Sequence, residues 1–246
     1  MTKERRWSRG DKIALIGTVI AIVGIVVVLI VPEIRHRIGL DPSPSPTPIG
    51  VDCHHAISDT FNGTLDSNWQ WIDPRGDANN TLTAMPGFLR ISTPSERDLW
   101  HGRNYDAPRL VQPITGNFIA EVKVNFQPSD RTNYQAAGLL LWQDEKNFLR
   151  FEIGDRTDRA IPDRIEFSDS HDGIIGFATL PTLPVTLRIE RKENTFIASW
   201  KGTDGVWQEI GKVDADFNNL LIGLTVINAT DTMDYGDFSQ FTVSCN

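Results

Sequence analysis

Apolar and polar residues alternate along most of the chain beyond residue 51, and no segment there shows helical periodicity. The clearest case is 118–126, where every second residue is apolar and the residues between them are mostly polar. A period of two predicts a β-strand with one buried face. The same alternation predicts five further strands, at 149–153, 164–167, 185–190, 196–200 and 241–245.

Two segments, 136–142 and 220–227, are apolar almost throughout and predict strands buried on both faces. Dipeptides that favour tight turns separate the strands, among them Pro86-Gly87 and Asp204-Gly205. Many short strands joined by short connections are typical of an antiparallel β-sandwich. We therefore predict one all-β domain over residues 51–246.

The apolar run 13–31 is the strongest signal outside this domain. Its nineteen residues carry no charge, and at ~1.5 Å per residue they span about 28 Å, close to the thickness of the bilayer hydrocarbon. We expect one transmembrane helix here, with the bilayer as its partner. A cleaved signal peptide is the alternative, but its apolar core is usually ~7–15 residues long and ends in a small-x-small site, which this run lacks.

Basic residues are concentrated before the apolar run, at Lys3, Arg5, Arg6, Arg9 and Lys12. The positive-inside rule then predicts that 1–12 is a cytoplasmic basic segment and that the β domain lies outside the plasma membrane. Residues 32–50 form a juxtamembrane spacer that includes a proline-rich stretch, and such a stretch favours extended polyproline II. The chain is predicted to be a single-pass membrane protein.

The net charge is −8. Since residues 1–40 carry an excess of Lys and Arg, the exported part is more acidic than the whole chain. An acidic domain repels phosphates, so a nucleic-acid partner is not expected. No glycine-rich phosphate loop is present, and we expect no cofactor.

The two cysteines, Cys53 and Cys245, lie at opposite ends of the β domain. Export to an oxidising environment favours a disulfide between them, with two free thiols as the alternative. His54 and His55 beside Cys53 are too few for a zinc site, so no structural metal is predicted, although a calcium ion is left open.

Several short motifs along the β domain are similar to one known family. They are Phe61-Asn-Gly-Thr-Leu-Asp-Ser-Asn-Trp-Gln-Trp71, Pro86-Gly-Phe-Leu-Arg-Ile91, Gln135-Ala-Ala-Gly-Leu-Leu-Leu-Trp142 and Asp204-Gly-Val-Trp207. The chain resembles the concanavalin A-like jelly-roll domains found C-terminal to bacterial family-43 β-xylosidases, and related stand-alone modules. The resemblance covers nearly all of 53–246 and implies a concanavalin A-like antiparallel β-sandwich. One departure is Lys201-Gly-Thr, where the family pattern has a serine shortly before Asp204.

The superfamily includes glucanases that carry Glu-x-Asp-x-x-Glu on one strand, and that motif is absent here. Its nearest approach is Glu152-Ile-Gly-Asp155, with Gly154 in place of the central acid. Without that motif, Glu152 and Glu166 would be a candidate catalytic pair if they face each other across a hairpin. Neighbouring strands, however, alternate Arg with Glu, which favours a cross-strand charge ladder on the solvent face. We therefore predict no catalytic residues and no enzyme activity, with a glycoside hydrolase as an alternative.

Carbohydrate binding is the predicted function, without catalysis, in a membrane-anchored extracytoplasmic module. Trp71 and Trp100 lie outside the alternating segments and are candidates to stack on an oligo- or polysaccharide. Candidate polar contacts come from outward strand positions, namely Arg150, Glu152, Arg164, Glu166 and Arg188. The alternative is a structural or protein-interaction domain, in which the same charges keep an exposed sheet soluble.

Overall fold

Fourteen β-strands form the regular structure of the described residues, which are 53, 56, 58–129, 132–155, 163–171 and 173–245. The structure is a computed structural model. The strands are β1 Gln70–Ile72, β2 Asn79–Thr81, β3 Leu89–Thr93, β4 Arg109–Pro113, β5 Phe118–Asn125, β6 Gln135–Asp144, β7 Asn147–Asp155, β8 Asp163–Asp169, β9 Ile174–Thr179, β10 Val185–Lys192, β11 Thr195–Lys201, β12 Gln208–Asp214, β13 Leu221–Asn228 and β14 Asp234–Cys245.

The strands form two sheets of seven. The first sheet has the order β1-β4-β13-β6-β7-β8-β9, and the second has the order β12-β11-β10-β5-β14-β3-β2. Every strand pair within the sheets is antiparallel. The predicted all-β antiparallel sandwich is confirmed.

The main core fills the space between the inner faces of the two sheets. The predicted alternation is confirmed on β5, where Phe118, Ala120, Val122 and Val124 are buried and the residues between them are partly exposed. The first sheet contributes Phe151 and Phe167, whose rings meet edge to face with centroids 5.9 Å apart. Full burial of each such side chain stabilises the fold by ~1.5–3 kcal/mol.

A second apolar cluster lies on the outer face of the first sheet. It joins outward residues of the sheet, such as Leu140 and Phe148, to Leu99 and Ala107 from the 94–108 segment that connects β3 to β4. This segment covers part of the outer face. As a result β13 is buried along its whole length and β6 along most of it, as their continuous apolar sequences predict.

The predicted disulfide is confirmed, since Cys53 and Cys245 are bonded with their Cα atoms 5.5 Å apart. Cys53 is buried in the main core, and Cys245 pairs with Phe118 in the second sheet. The bond joins residues 192 positions apart and thus ties the start of the domain to its last strand.

No helix among the described residues is long and apolar enough to cross a membrane. The predicted transmembrane segment 13–31, the basic segment 1–12 and the spacer 32–50 lie outside the described residues. His54 and His55 also lie outside them.

Loss of the disulfide should destabilise the domain. In the chain-entropy account, releasing a loop of this length lowers the free energy of unfolding by up to about 5 kcal/mol, and by less if the unfolded chain is compact. Denaturant unfolding of the Cys245→Ser variant, compared with the oxidised and the reduced wild-type chain, measures the difference. The reduced wild type serves as the matched control and should behave like the variant. Equal stability of all three forms would contradict a structural role for the bond.

Candidate functional site

Four of the candidate polar residues lie together on the outer face of the first sheet. Arg150 and Glu152 belong to β7 and Arg164 and Glu166 to β8. The register places Glu152 directly opposite Glu166, as the sequence allowed. They were expected at a solvent-facing surface, but all four are buried, each with 3% exposure or less. The expectation of a solvent-facing polar surface at these four positions is wrong.

The ion pairs seen within this group run along each strand. Arg150 Nη1 lies 3.7 Å from Glu152 Oε1, and Arg164 forms an ion pair with Glu166. The predicted cross-strand ladder is therefore wrong here, because the register sets one carboxylate opposite another. Pairing within each strand supplies each buried carboxylate with a cation, which its burial requires.

Tyr134 completes the buried group and was not identified from the sequence. Its hydroxyl donates a hydrogen bond of 2.5 Å to Glu152 Oε1. Its ring lies against Gly154, where an added Cβ would come within 3.1 Å of the ring atoms. Gly154, which stands where the glucanase motif has an Asp, therefore leaves room for the Tyr134 ring. A lone tyrosine just before a strand carries no periodic signal, so the pattern could not reveal this contact.

Burial controls the proton affinity of the group. Desolvation raises the pKa of Glu152, while the nearby Arg150 and the hydrogen bond from Tyr134 oppose that rise. Burial also raises the pKa of the Tyr134 phenol well above its usual range. With Glu152 and Glu166 almost fully buried, neither carboxylate is open to a polysaccharide. The arrangement fits a buried structural network.

Arg188 lies on the second sheet, away from this group. Its Nε atom donates a 2.8 Å hydrogen bond to Glu121 Oε1, and the two residues are directly opposite each other on β10 and β5. Here the predicted cross-strand pairing is confirmed. The guanidinium of Arg188 also lies 3.6 Å from the ring centroid of Trp207, a second contact that the sequence did not indicate.

The two candidate tryptophans occupy different environments. Trp71 lies in β1, pairs with Leu110 and packs against the main core, so its indole faces the space between the sheets. Trp71 was expected in a loop, and that expectation is wrong. Trp100 lies in the 94–108 segment and is 44% exposed, the exposure that a stacking side chain needs.

A polar cavity of about 570 Å³ adjoins Trp100. Its lining includes Arg75, Glu96, Arg97, Asp98, Trp100 and Asn104. The guanidinium of Arg103 lies 4.4 Å from the Trp100 ring centroid. An exposed indole beside planar amide, carboxylate and guanidinium groups has the composition of a carbohydrate site.

Hydrogen bonds within the 94–108 segment fix the position of Trp100. Its backbone N–H donates to the carbonyl of Asn104 (2.6 Å), and the N–H of Asn104 donates back to the Trp100 carbonyl (3.0 Å). The side-chain oxygen of Asn104 accepts from the N–H groups of Asp98 and Asp106. Asn104 therefore organises the cavity, and sequence analysis missed it because its role comes from loop geometry.

The middle of the same segment, at His101, approaches the turn between β8 and β9. The rings of His101 and His171 lie 4.5 Å apart between centroids, and the Tyr105 hydroxyl lies 3.3 Å from His101 Nδ1. Within the described ranges, no three His, Cys, Asp or Glu side chains are grouped in a way that would hold a metal ion.

Comparison with protein families gives one match, the "Beta xylosidase C-terminal Concanavalin A-like domain", over residues 58–244. None of the curated proteins compared with the chain matches it.

Solved structures share the fold. A functionally unknown protein from Saccharomyces cerevisiae has 13% identity and a TM-score of 0.62, over 73% of this chain and 97% of that one. The Bacteroides ovatus xyloglucan-locus GH43B has 23% identity and a TM-score of 0.62. The match covers 77% of this chain but only 39% of the Bacteroides protein. A lectin from Bauhinia forficata, solved with GalNAc, has 10% identity and a TM-score of 0.52, and the match covers 77% of this chain and 98% of the lectin. At these identities the likeness concerns the fold alone.

The raised pKa of Glu152 predicts that part of the stability is lost as pH rises. Between the ordinary carboxyl pKa, ~4.3, and the raised value, the unfolded chain has released this proton while the folded chain still holds it. The free energy of unfolding therefore falls with rising pH in that range. Glu152→Gln should remove this fall, because a carboxamide stays neutral and its oxygen still accepts from Tyr134.

Urea unfolding at a series of pH values from about 4 upward measures the effect. Glu145→Gln is the matched control, since it makes the same replacement at an exposed position and alters no buried side chain. Identical pH profiles for the wild type and Glu152→Gln would show that burial does not raise the pKa of the Glu152 carboxyl group.

Proposed function

Because this chain belongs to the family of β-xylosidase C-terminal concanavalin A-like domains, we propose that it is a carbohydrate-binding module without catalytic activity. The proposal includes its location: a single transmembrane helix over 13–31 anchors the module, which lies outside the plasma membrane. Positive charge before that segment supports the orientation.

The observation that carries the binding proposal is the exposed indole of Trp100 in its polar cavity. Sugar rings present flat C–H faces to aromatic rings and hydroxyl groups to polar side chains. Arg75 and Glu96, which line the cavity and are exposed, supply such polar groups. The 94–108 segment holds this arrangement in place through its own hydrogen bonds, so little ordering is required when a ligand binds.

Two alternatives differ in what they require. A glycoside hydrolase needs two accessible carboxylates at a suitable separation, whereas Glu152 and Glu166 are buried and paired with arginines. Hydrolysis of β-glucan or xylan that is lost in Glu166→Gln would favour that alternative.

A protein-interaction domain requires a continuous exposed apolar patch, and its partner would bind with no contribution from any glycan.

Replacement of Trp100 by Ala should weaken glycan binding about tenfold, because the stacking surface is lost. The test titrates the full chain in detergent with a panel of xylo- and gluco-oligosaccharides, by calorimetry. Tyr235→Ala is the matched control, since this exposed aromatic residue lies on β14 of the second sheet. Absence of saturable binding to any glycan would favour the protein-interaction alternative. Equal affinity in both variants would show that Trp100 is not the residue that contacts the glycan.

The proposed topology predicts that a protease added to intact cells digests the β domain or releases it by cleavage in the spacer 32–50. A reporter fused to residue 1 should stay protected, because the basic segment lies inside. Permeabilised cells, in which both ends are accessible, provide the control. Protection of the β domain in intact cells would reverse the proposed orientation.

A further inference from the structure

The outer face of the second sheet carries a row of aligned polar residues. In register across four neighbouring strands, Lys201 pairs with Thr186, Thr186 with Lys123, and Lys123 with Ser239. One strand separates the two lysines, so their Cα atoms are ~9.6 Å apart, twice the spacing between strands. Two cations therefore point from the same face with a hydroxyl between them.

These lysines differ from the other cations on the same face. Arg188 is bound to Glu121, and Lys192 lies 3.0 Å from Glu190. In the part of the chain that the structure describes, Lys123 and Lys201 form no ion pair with a carboxylate. In a chain whose net charge is −8, this is a local positive site that attracts an anion.

The row lies in an open groove of about 440 Å³. Besides the two lysines, the groove is lined by Thr186, Thr203, Gln240 and Thr242, all at least partly exposed. Glu121 also lines it, but its carboxylate is paired with Arg188 and leaves the two lysine charges uncompensated. Hydroxyl and amide groups of this kind exchange hydrogen bonds with sugar hydroxyls. The Trp207 ring is not part of this lining, but it lies 4.5 Å from Lys201 Nζ and therefore adjoins the groove beside that lysine.

The floor of the groove argues against an extended peptide as its ligand. Both β5 and β10 are interior strands, hydrogen-bonded to a neighbour on each side. Their backbone groups are therefore occupied, and no sheet edge is open for strand addition. A ligand on this face must bind through side-chain charges, hydroxyl groups and the indole.

We propose that this groove is a second ligand site, which binds a carboxylated oligosaccharide of uronic acid residues. The lysine ammonium groups contact the carboxylates, the threonine hydroxyls and Gln240 contact the sugar hydroxyls, and Trp207 borders the sugar chain. The site is on the opposite sheet from the sheet covered by the Trp100 segment, so it does not depend on the function proposed for Trp100.

The test titrates the full chain in detergent with two uronate probes, oligogalacturonate and oligomannuronate. We expect saturable binding of at least one, loss of that binding when its carboxylates are methyl-esterified, and weaker binding as salt increases. Lys123→Gln and Lys201→Gln should each weaken binding by about fivefold. Each variant's thermal unfolding is measured alongside, to establish that the fold is intact.

Two variants provide matched controls. Lys146→Gln removes the same charge from an exposed turn of the first sheet and should bind like the wild type. Trp100→Ala should also bind the uronate normally, which separates this site from the one proposed above. The inference is overturned if neither uronate binds, if the methyl ester or polyglutamate binds equally well, or if both groove lysines can be replaced without effect.

Discussion

Burial of the interior strands of the first sheet on both faces is the constraint from which the chemistry of this domain follows. The main core covers its inner face, and the 94–108 segment with Tyr134 covers much of its outer face. A charge at such a position loses its hydration, so it persists only with a counter-charge and hydrogen bonds nearby. Arg150 and Arg164 provide that compensation for the two glutamates of the same face. The second sheet is buried on its inner face, and the charges on the outer face of β5 and β10 remain partly exposed to solvent.

The two sheets therefore use similar charged residues for different purposes. Arg188 and Glu121 retain about a quarter of their side-chain exposure, and an ion pair so exposed contributes only ~0–1 kcal/mol. Removing one partner of a buried pair, such as Arg150 with Glu152, costs ~3–5 kcal/mol, because it leaves a desolvated charge behind. The buried charged group therefore contributes to the stability of the fold. The two proposed recognition sites lie elsewhere, at the Trp100 segment and on the outer face of the second sheet.

Period-two alternation was sufficient to predict the fold, because it identifies the residues that share a face of a strand. It placed β5 and β10 correctly and gave the two-sided burial of β13. It does not reveal whether a further layer covers a face. The covering segment, 94–108, is a loop held by Asn104 and carries no periodic signal. Because periodicity cannot reveal a covering layer, the exposure of Glu152 and Glu166 was predicted wrongly, while Trp100, predicted to lie outside the alternating segments, does lie in that loop.

The proposed sites are both shallow and polar, and this property bears on the predicted anchor. An open surface leaves much of a bound saccharide hydrated, so one site alone gives modest affinity. A polysaccharide offers many repeats of the same unit, and copies of the chain held in one membrane would meet those repeats together. Linked binding events of this kind raise the overall affinity by factors of ~10² or more without any new contact. A transmembrane segment at 13–31 would therefore do more than localise the domain, because it would allow weak sites to hold a polymer at the cell surface.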